Sequence, residues 1–381
     1  MNVVRCPSCG TRLKRNGTTS AGNMRWRRAS CGASITNHVD NSAKRLEEFL
    51  GWLLSKRRQA DMAGGDRTFR RRTQEFWHIW PLPPVTGEVC RVVFVDGIFL
   101  SHRVCVPIAR SEEHMLGWHA ARSESSSAYK ALMARMAPPE VVVTDGVGSF
   151  QKARRQLWPT TRVQRCTFHA FEQLKRYTTT RPRTQAGVDL YALAKKLLKV
   201  EDSEHAAAWV AGFATWYSDY DEFLKEETTN DEGRSLLAHE RLVKARNSLT
   251  ALVRQQTLFT YVDPGMVGRL GDLPSTNNAV ESLSGQLRHL LRDHRGLSLE
   301  RRVKAICWWC YMHTECPLPA AEILRVMPTD KSIAEEMGKL SYKDRAGIGA
   351  RQWGMALSGR SLIAQPRGAG IGTDKDTHFV L

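Results

Sequence analysis

The stretch Val89-Cys90-Arg91-Val92-Val93-Phe94-Val95-Asp96-Gly97 decides the fold of the chain. Its β-branched and aromatic residues run into an Asp-Gly pair, as in a strand buried on both faces. A second such run, Val141-Val142-Val143, is followed by Asp145-Gly146. Carboxylates at the ends of adjacent buried strands suit hard, oxygen-seeking cations held at a sheet edge. Each also has a plainer reading. Asp-Gly after a strand is the commonest hairpin turn, above all at Asp96, which lies between two strand-like runs.

Working outward, Ile98 to Val106 reads as the second strand, Ser125 to Met136 as a helix, Arg162 to Cys166 as a further strand and Phe168 to Tyr177 as a helix. Hairpin, helix, central strand, helix, strand is the order of a ribonuclease-H-like core, so the expected fold class is α/β. From 178 to 274 the period turns helical, with Leu190, Leu193 and Leu197 in one segment and Trp209, Val210, Phe213, Trp216, Tyr217 and Tyr220 in another. That stretch is expected to be an all-α insertion splitting the core, which resumes over 275–316. Beyond Pro317 the periodicity fades, and 317–381 is expected to be a C-terminal extension with a mobile glycine-rich end.

At 381 residues the chain has room for two or three domains, and its 42% hydrophobic and 25% charged residues are those of a globular protein. The unusual quantity is charge. Lys+Arg 56 against Asp+Glu 39 leaves +17, and residues 1–85 hold 16 basic against 6 acidic residues, which is +10 of that excess. Such an arm attracts polyanions, with nucleic acid the leading partner. The sequence has no apolar run long enough for a signal peptide or a membrane span, and its nine cysteines do not suggest a secreted disulfide framework. A soluble, cytoplasmic protein is expected, with no membrane partner.

Residues 1–40 are expected to form a basic, zinc-ribbon-like module. Cys6-Pro7-Ser8-Cys9-Gly10 has the spacing of a zinc knuckle, whose glycine turn lets two thiolates face one ion. The second half supplies Cys31 but has Arg28 where the partner thiol belongs, leaving His38 as a substitute ligand or a knuckle without metal. Residues 41–84 are expected to hold a helix-turn-helix. Leu46, Phe49, Leu50 and Leu53 form the apolar face of a first helix through residue 60, Gly64-Gly65 the turn, and Asp66 the cap of an arginine-rich second helix through Trp77. Arg67, Thr68, Arg70 and Arg71 would then contact DNA from that helix. A helical hairpin with a solvated basic face is the plainer reading.

Thr276-Asn277-Asn278-Ala279-Val280-Glu281 opens a further helix. At 100° per residue Glu281, Arg288, Arg292 and Arg295 share an arc of about 60°, with the leucines elsewhere. A carboxylate followed only by guanidiniums suits a metal ligand beside a phosphate track, against the plainer reading of a solvated face. Cys307, Cys310, His313 and Cys316 recur every three residues. On one helix the outer pair would be about 13 Å apart, too far to share an ion, so packing is expected.

Asp96, Asp145, Cys166-Thr167-Phe168-His169, the helical insertion and Asn278-Ala279-Val280-Glu281 with Arg288 two turns on together resemble the Mutator-like superfamily of bacterial insertion-sequence transposases, from the CPSCG knuckle to about residue 316. The resemblance implies a DDE triad of Asp96, Asp145 and Glu281 holding two Mg2+ or Mn2+ ions. It also implies DNA cleavage and strand transfer at terminal inverted repeats and target DNA, and a homodimer or larger assembly on DNA at the bacterial nucleoid. It gives Cys166 and His169 a place beside the active site, arranging it or the DNA strand. A DNA-binding regulator derived from a transposase and a structure-selective nuclease are the alternatives.

Overall fold

A computed structural model describes residues 4–20, 22–36, 40–101 and 103–339. The expected ligand His38 and the glycine-rich end lie outside the described residues. The chain is a mixed α/β protein whose central sheet combines parallel and antiparallel strands, and it divides into two compact units.

One unit comprises Met1–Trp52, Arg57–Phe76 and Leu318–Val326. Strands β1 (Lys14–Thr18), β2 (Met24–Arg27) and β3 (Ser34–Thr36) form an antiparallel sheet in that order. Helix α1 (Ser42–Leu53) buries the expected Leu46, Phe49 and Leu50, and α2 (Gly65–Thr73) sets Phe69 against Trp52 with ring centroids 5.3 Å apart. Arg72 clamps the two helices together, bonding Glu48 and the Ala63 carbonyl.

Four expectations here need correction. Helix α1 ends at Leu53, so Lys56, Arg57 and Arg58 lie outside it. The linking segment, residues 54–64, contains a 3-10 turn at Gln59–Asp61 and is longer than the three or four residues of a helix-turn-helix connection. The cap of α2 is Gly64 at φ 82°, a left-handed conformation that favours glycine, while Asp66 sits in the first turn. The helix stops at Thr73 and gives way to a 3-10 segment, Gln74–His78.

In the other unit, β4 (Val92–Leu100), β5 (Val104–Arg110) and β6 (Met115–Trp118) are followed by α3 (Ser126–Met133), β7 (Val141–Thr144), α4 (Gly148–Leu157), β8 (Arg162–Arg165) and α5 (Thr167–Thr178). The sheet order is β6-β5-β4-β7-β8, antiparallel across the first three strands and parallel from β4 to β8. Val93, Val95, Val142 and Val163 pack on Tyr129, Leu132, Phe150 and Trp158. The expected break at Asp96-Gly97 does not occur. β4 continues through both residues, which pair with Ile108 and Pro107, and the chain reverses only between Leu100 and Val104.

Helices α6 (Gln185–Leu197) and α7 (Ser203–Leu224) follow, with α8 (Glu240–Arg254) and α9 (Pro264–Leu270) after a hairpin. Trp209 and Trp216 are buried in their core, and their indole N–H groups donate to the Leu193 and Ala186 carbonyls, both at 2.9 Å. The segment is not all-α: β9 (Glu227–Thr229) and β10 (Ser235–Leu237) pair across a turn with Gly233 at φ 75°. Next come α10 (Asn278–Asp293) and α11 (Leu299–Met312).

Beyond Pro317, where the periodicity fades, α12 (Ala320–Val326) lies in the first unit and α13 (Asp330–Lys339) in the second. The start of α13 is held to the segment before β4. Trp80 N–H donates to the Pro328 carbonyl at 2.8 Å, and Asp330 bonds Trp80 Nε1 and His78.

Candidate active site

β4 and β7 run parallel with Val95 opposite Thr144, so the next residues, Asp96 and Asp145, lie side by side where this parallel pairing ends. Both carboxylates are held locally. Asp96 Oδ1 accepts the Gly97 N–H at 2.8 Å, and Asp145 Oδ1 accepts the Val147 N–H at 3.2 Å. α10 brings the third acid. It packs against β4, and the wholly buried Asn277 at its N-cap donates from Nδ2 to the Val95 carbonyl at 3.3 Å, fixing the first turn, which carries Glu281, beside β4.

Burial pushes the Asp96 carboxyl up to about 7, and the charges of Asp145, Glu124 and Glu281 add to that shift. Burial and neighbouring acids thus both disfavour the charged form of Asp96.

Glu124 is a residue that sequence reasoning missed. A Cβ on Gly97 would lie 2.9 Å from Glu124 Oε1, so the carboxylate occupies space that only glycine leaves open beside Asp96. The buried Tyr129 hydroxyl donates to Glu124, and burial raises the Glu124 carboxyl, with Asp145 adding to the shift. In sequence Glu124 is merely an acid before the serine cap of α3. Arg165 was missed as well. Its side chain lies against Gly146, where a Cβ would come within 2.6 Å of Nε, and its charge interacts with Asp145. Burial lowers the guanidinium, while Nη2 donates to Gln173 Oε1 at 3.3 Å.

Cys166 and His169 open α5 and face the first turn of α10. Cys166 Sγ accepts the Asn277 N–H at 3.3 Å, and His169 Nδ1 stands 3.6 Å from Glu281 Oε1. The structure thus brings together Asp96, Asp145, Glu281, Cys166 and His169. Arg288 and Arg292 are exposed farther along α10. Arg295 is not on that helix: it follows the cap His294, and its Nε donates to the Arg292 carbonyl at 3.2 Å.

In the first unit Arg67, Arg70 and Arg71 are exposed on α2, with Arg70 paired to Asp66 at 2.5 Å, while Thr68 is half-buried beside Gly64. Cys6, Cys9 and Cys31 converge, with Cys31 Sγ 3.6 Å from each of the other two sulfurs. Tetrahedral Zn–S bonds of about 2.3 Å imply S···S edges of about 3.8 Å, so these thiols fit one ion. The Thr11 hydroxyl and backbone hold the Cys9 thiol down at about 6. Arg28 turns away to Ser30 Oγ at 2.9 Å and contributes no ligand. Cys307 and Cys310 are buried in α11, where burial raises both thiols, as expected of packing residues. Helix α11 ends before His313 and Cys316.

Neither protein-family models nor curated proteins match the sequence. Among the described residues no helix is long and apolar enough to cross a membrane.

Proposed function

We propose that the protein is a DDE-type DNA transposase that binds the terminal inverted repeats of a bacterial insertion sequence and catalyses their cleavage and strand transfer. The observation that carries this reading is the juxtaposition of Asp96 and Asp145 on neighbouring parallel strands, with Glu281 close enough to act on Asp96 electrostatically. Three antiparallel strands continued by two parallel ones suit a ribonuclease-H-like core. The body from α6 to α9, lying between the second aspartate and the glutamate in sequence, suits an insertion in it.

Carboxylate oxygens at neighbouring positions, one within β4 and one just past β7, are the donor set for Mg2+ or Mn2+, and the cluster of acids around Asp96 fits that group. Asp96, Asp145 and Glu281 would hold two ions, which supply activation of the attacking oxygen and stabilisation of the leaving one. The chain's own contribution is positioning. The strand register fixes two acids, Asn277 fixes the turn bearing the third, and Arg165 sets a positive charge beside Asp145. Arg288 and Arg292 would neutralise phosphates along α10, with Arg295 following the helix. Arg67, Thr68, Arg70 and Arg71 would contact DNA from α2. A three-thiol zinc site at Cys6, Cys9 and Cys31 would brace the basic module. Two element ends are processed together, which calls for a dimer or larger assembly on DNA in the cytoplasm.

The test is incubation of the purified full chain with a labelled element end and Mg2+, comparing wild type with Asp145→Asn and Glu281→Gln. Both substitutions are expected to cut strand transfer roughly 10^4-fold, the scale of losing a catalytic carboxylate in a hydrolase, with end binding retained. Activity surviving in either variant refutes the triad. Equal cleavage of unrelated DNA refutes the transposase in favour of a nuclease.

A further inference from the structure

Cys166, His169 and Glu281 each offer a ligand atom, and the three atoms lie within 4.8 Å of one another. His169 Nδ1 and Glu281 Oε1, 3.6 Å apart, are too distant for a hydrogen bond. Both atoms are nonetheless shielded from solvent, and neither has a hydrogen-bond partner. Two buried polar atoms left without hydrogen bonds ordinarily cost stability. The spacing is close to that between two ligands of one ion: tetrahedral bonds of about 2.1 Å to nitrogen and oxygen give an edge of about 3.4 Å.

The frame around the three atoms is fixed. Cys166 caps α5, and its buried sulfur accepts the Asn277 N–H at 3.3 Å. The start of α5 is tied to the segment before α10, because Thr167 N–H and Oγ1 both donate to the Ser275 carbonyl, at 3.0 and 3.3 Å. Asn277 anchors that segment to β4 through the Val95 carbonyl. The ligand atoms thus come from two helix starts stitched to one another and to the sheet, the kind of support a metal site requires.

The geometry points to a binding site for a single borderline transition-metal ion of the Zn2+ class, held by Cys166 Sγ, His169 Nδ1 and Glu281 Oε1 with a fourth position open. One sulfur, one imidazole nitrogen and one carboxylate oxygen favour Zn2+ or Co2+ over Mg2+, which prefers oxygen alone. The site shares Glu281 with the carboxylate cluster. If the transposase reading holds, on which this clause alone rests, Zn2+ draws Glu281 away from Asp96 and Asp145 and inhibits the Mg2+-dependent reaction.

The test uses full-length protein carrying Cys6→Ser, Cys9→Ser and Cys31→Ser, which silences the N-terminal thiols, titrated with Co2+ alone. The expected result is a thiolate-to-cobalt charge-transfer band that saturates at one sulfur-bound Co2+ per chain and that Zn2+ abolishes. In that background Cys166→Ser removes the band, and His169→Gln and Glu281→Gln each weaken binding at least tenfold. Because Cys166 is buried, the half-exposed His169 provides the variant that leaves packing intact, and circular dichroism identifies the folded proteins. A folded parent that binds no Co2+, a band surviving Cys166→Ser, or unchanged affinity in either of the other two variants overturns the site. No readout uses DNA, so failure here leaves the triad standing, and failure of strand transfer leaves the metal site standing.

Discussion

Lys304 lies on α11 with a side chain 0% exposed, yet it carries an ammonium group. Nζ donates to the Trp77 carbonyl at 2.7 Å and to Asp330 Oδ1 and Oδ2 at 2.7 and 2.9 Å. It also sits 2.9 Å from Glu300 and 4.4 Å from the centre of the Trp80 ring. Asp330→Asn removes the principal counter-charge while retaining an oxygen for Trp80 Nε1. Breaking a buried ion pair from one side costs about 3–5 kcal/mol, because a charge remains buried and uncompensated. Glu300 persists from a 48% exposed position and Asp330 is itself 38% exposed, so the lower end applies, about 3 kcal/mol. At about 2–4 °C per kcal/mol for a body of this size, the midpoint should fall by roughly 6–12 °C in calorimetry.

The converse change is cheaper. Lys304→Met leaves Asp330 half-exposed with His78 and Trp80 still donating to it, a loss of about 1–2 kcal/mol. The double variant Lys304→Met with Asp330→Asn should recover most of the stability lost in Asp330→Asn, since an apolar replacement for a buried pair is often neutral. The pH dependence follows from the same contacts. Burial alone would raise the Asp330 carboxyl, but hydrogen bonds from Lys304, His78 and Trp80 outweigh it and hold the group below the ordinary carboxylate range. A depressed carboxyl contributes stability that is fully present above its unfolded value, about 3.9, and is lost as pH falls through the folded value. The gap between wild type and Asp330→Asn in urea titrations should be constant above about pH 5 and close below pH 4. A cost under about 1 kcal/mol at neutral pH, or a double variant no more stable than Asp330→Asn, refutes the reasoning.

Gly97→Ala should displace Glu124, since the new Cβ would meet Oε1 at 2.9 Å and Cys105 Sγ at 3.2 Å; denaturant titration should record a loss of about 1–3 kcal/mol, and Glu124→Gln in the same background should not restore it. Arg288→Ala and Arg292→Ala should each weaken binding of DNA of any sequence and lower the slope of log affinity against log salt by about one, measured by fluorescence anisotropy. An unchanged slope would remove these residues from the phosphate track.

The pairing of Asp96 with Asp145 was legible because parallel neighbours place equivalent positions side by side, and both β-branched runs lead into an Asp-Gly pair. The same Asp-Gly signal misplaced the hairpin turn: local propensity favoured a reversal at Gly97, but pairing with Pro107 and the continuing Ile98 and Leu100 carry β4 onward. Glu124 was illegible for a different reason. Its place depends on a missing Cβ on another strand, and no spacing within its own segment encodes that. Arg295 joined the stripe by arithmetic alone, because helical periodicity specifies a face but not where α10 stops.

Lys304 illustrates the general limit. It lies three residues before Cys307, so the periodicity that correctly sends Cys307 and Cys310 inward predicts burial for it too, while its charge predicts exposure. Only Asp330, 26 residues on at the start of a helix where periodicity had faded, decides between them. Neither partner's place is legible in the sequence, for one reason. A buried charge and its counter-charge are each implausible alone, and they become a stable arrangement only when the fold brings them together. Asp96, Asp145, Glu281 and Glu124 likewise make sense only together, gathered by the fold with the Arg165 guanidinium beside Asp145. Lys304 is supplied with anions by its own fold, whereas Asp96 is surrounded by further acids that, with burial, push its carboxyl up.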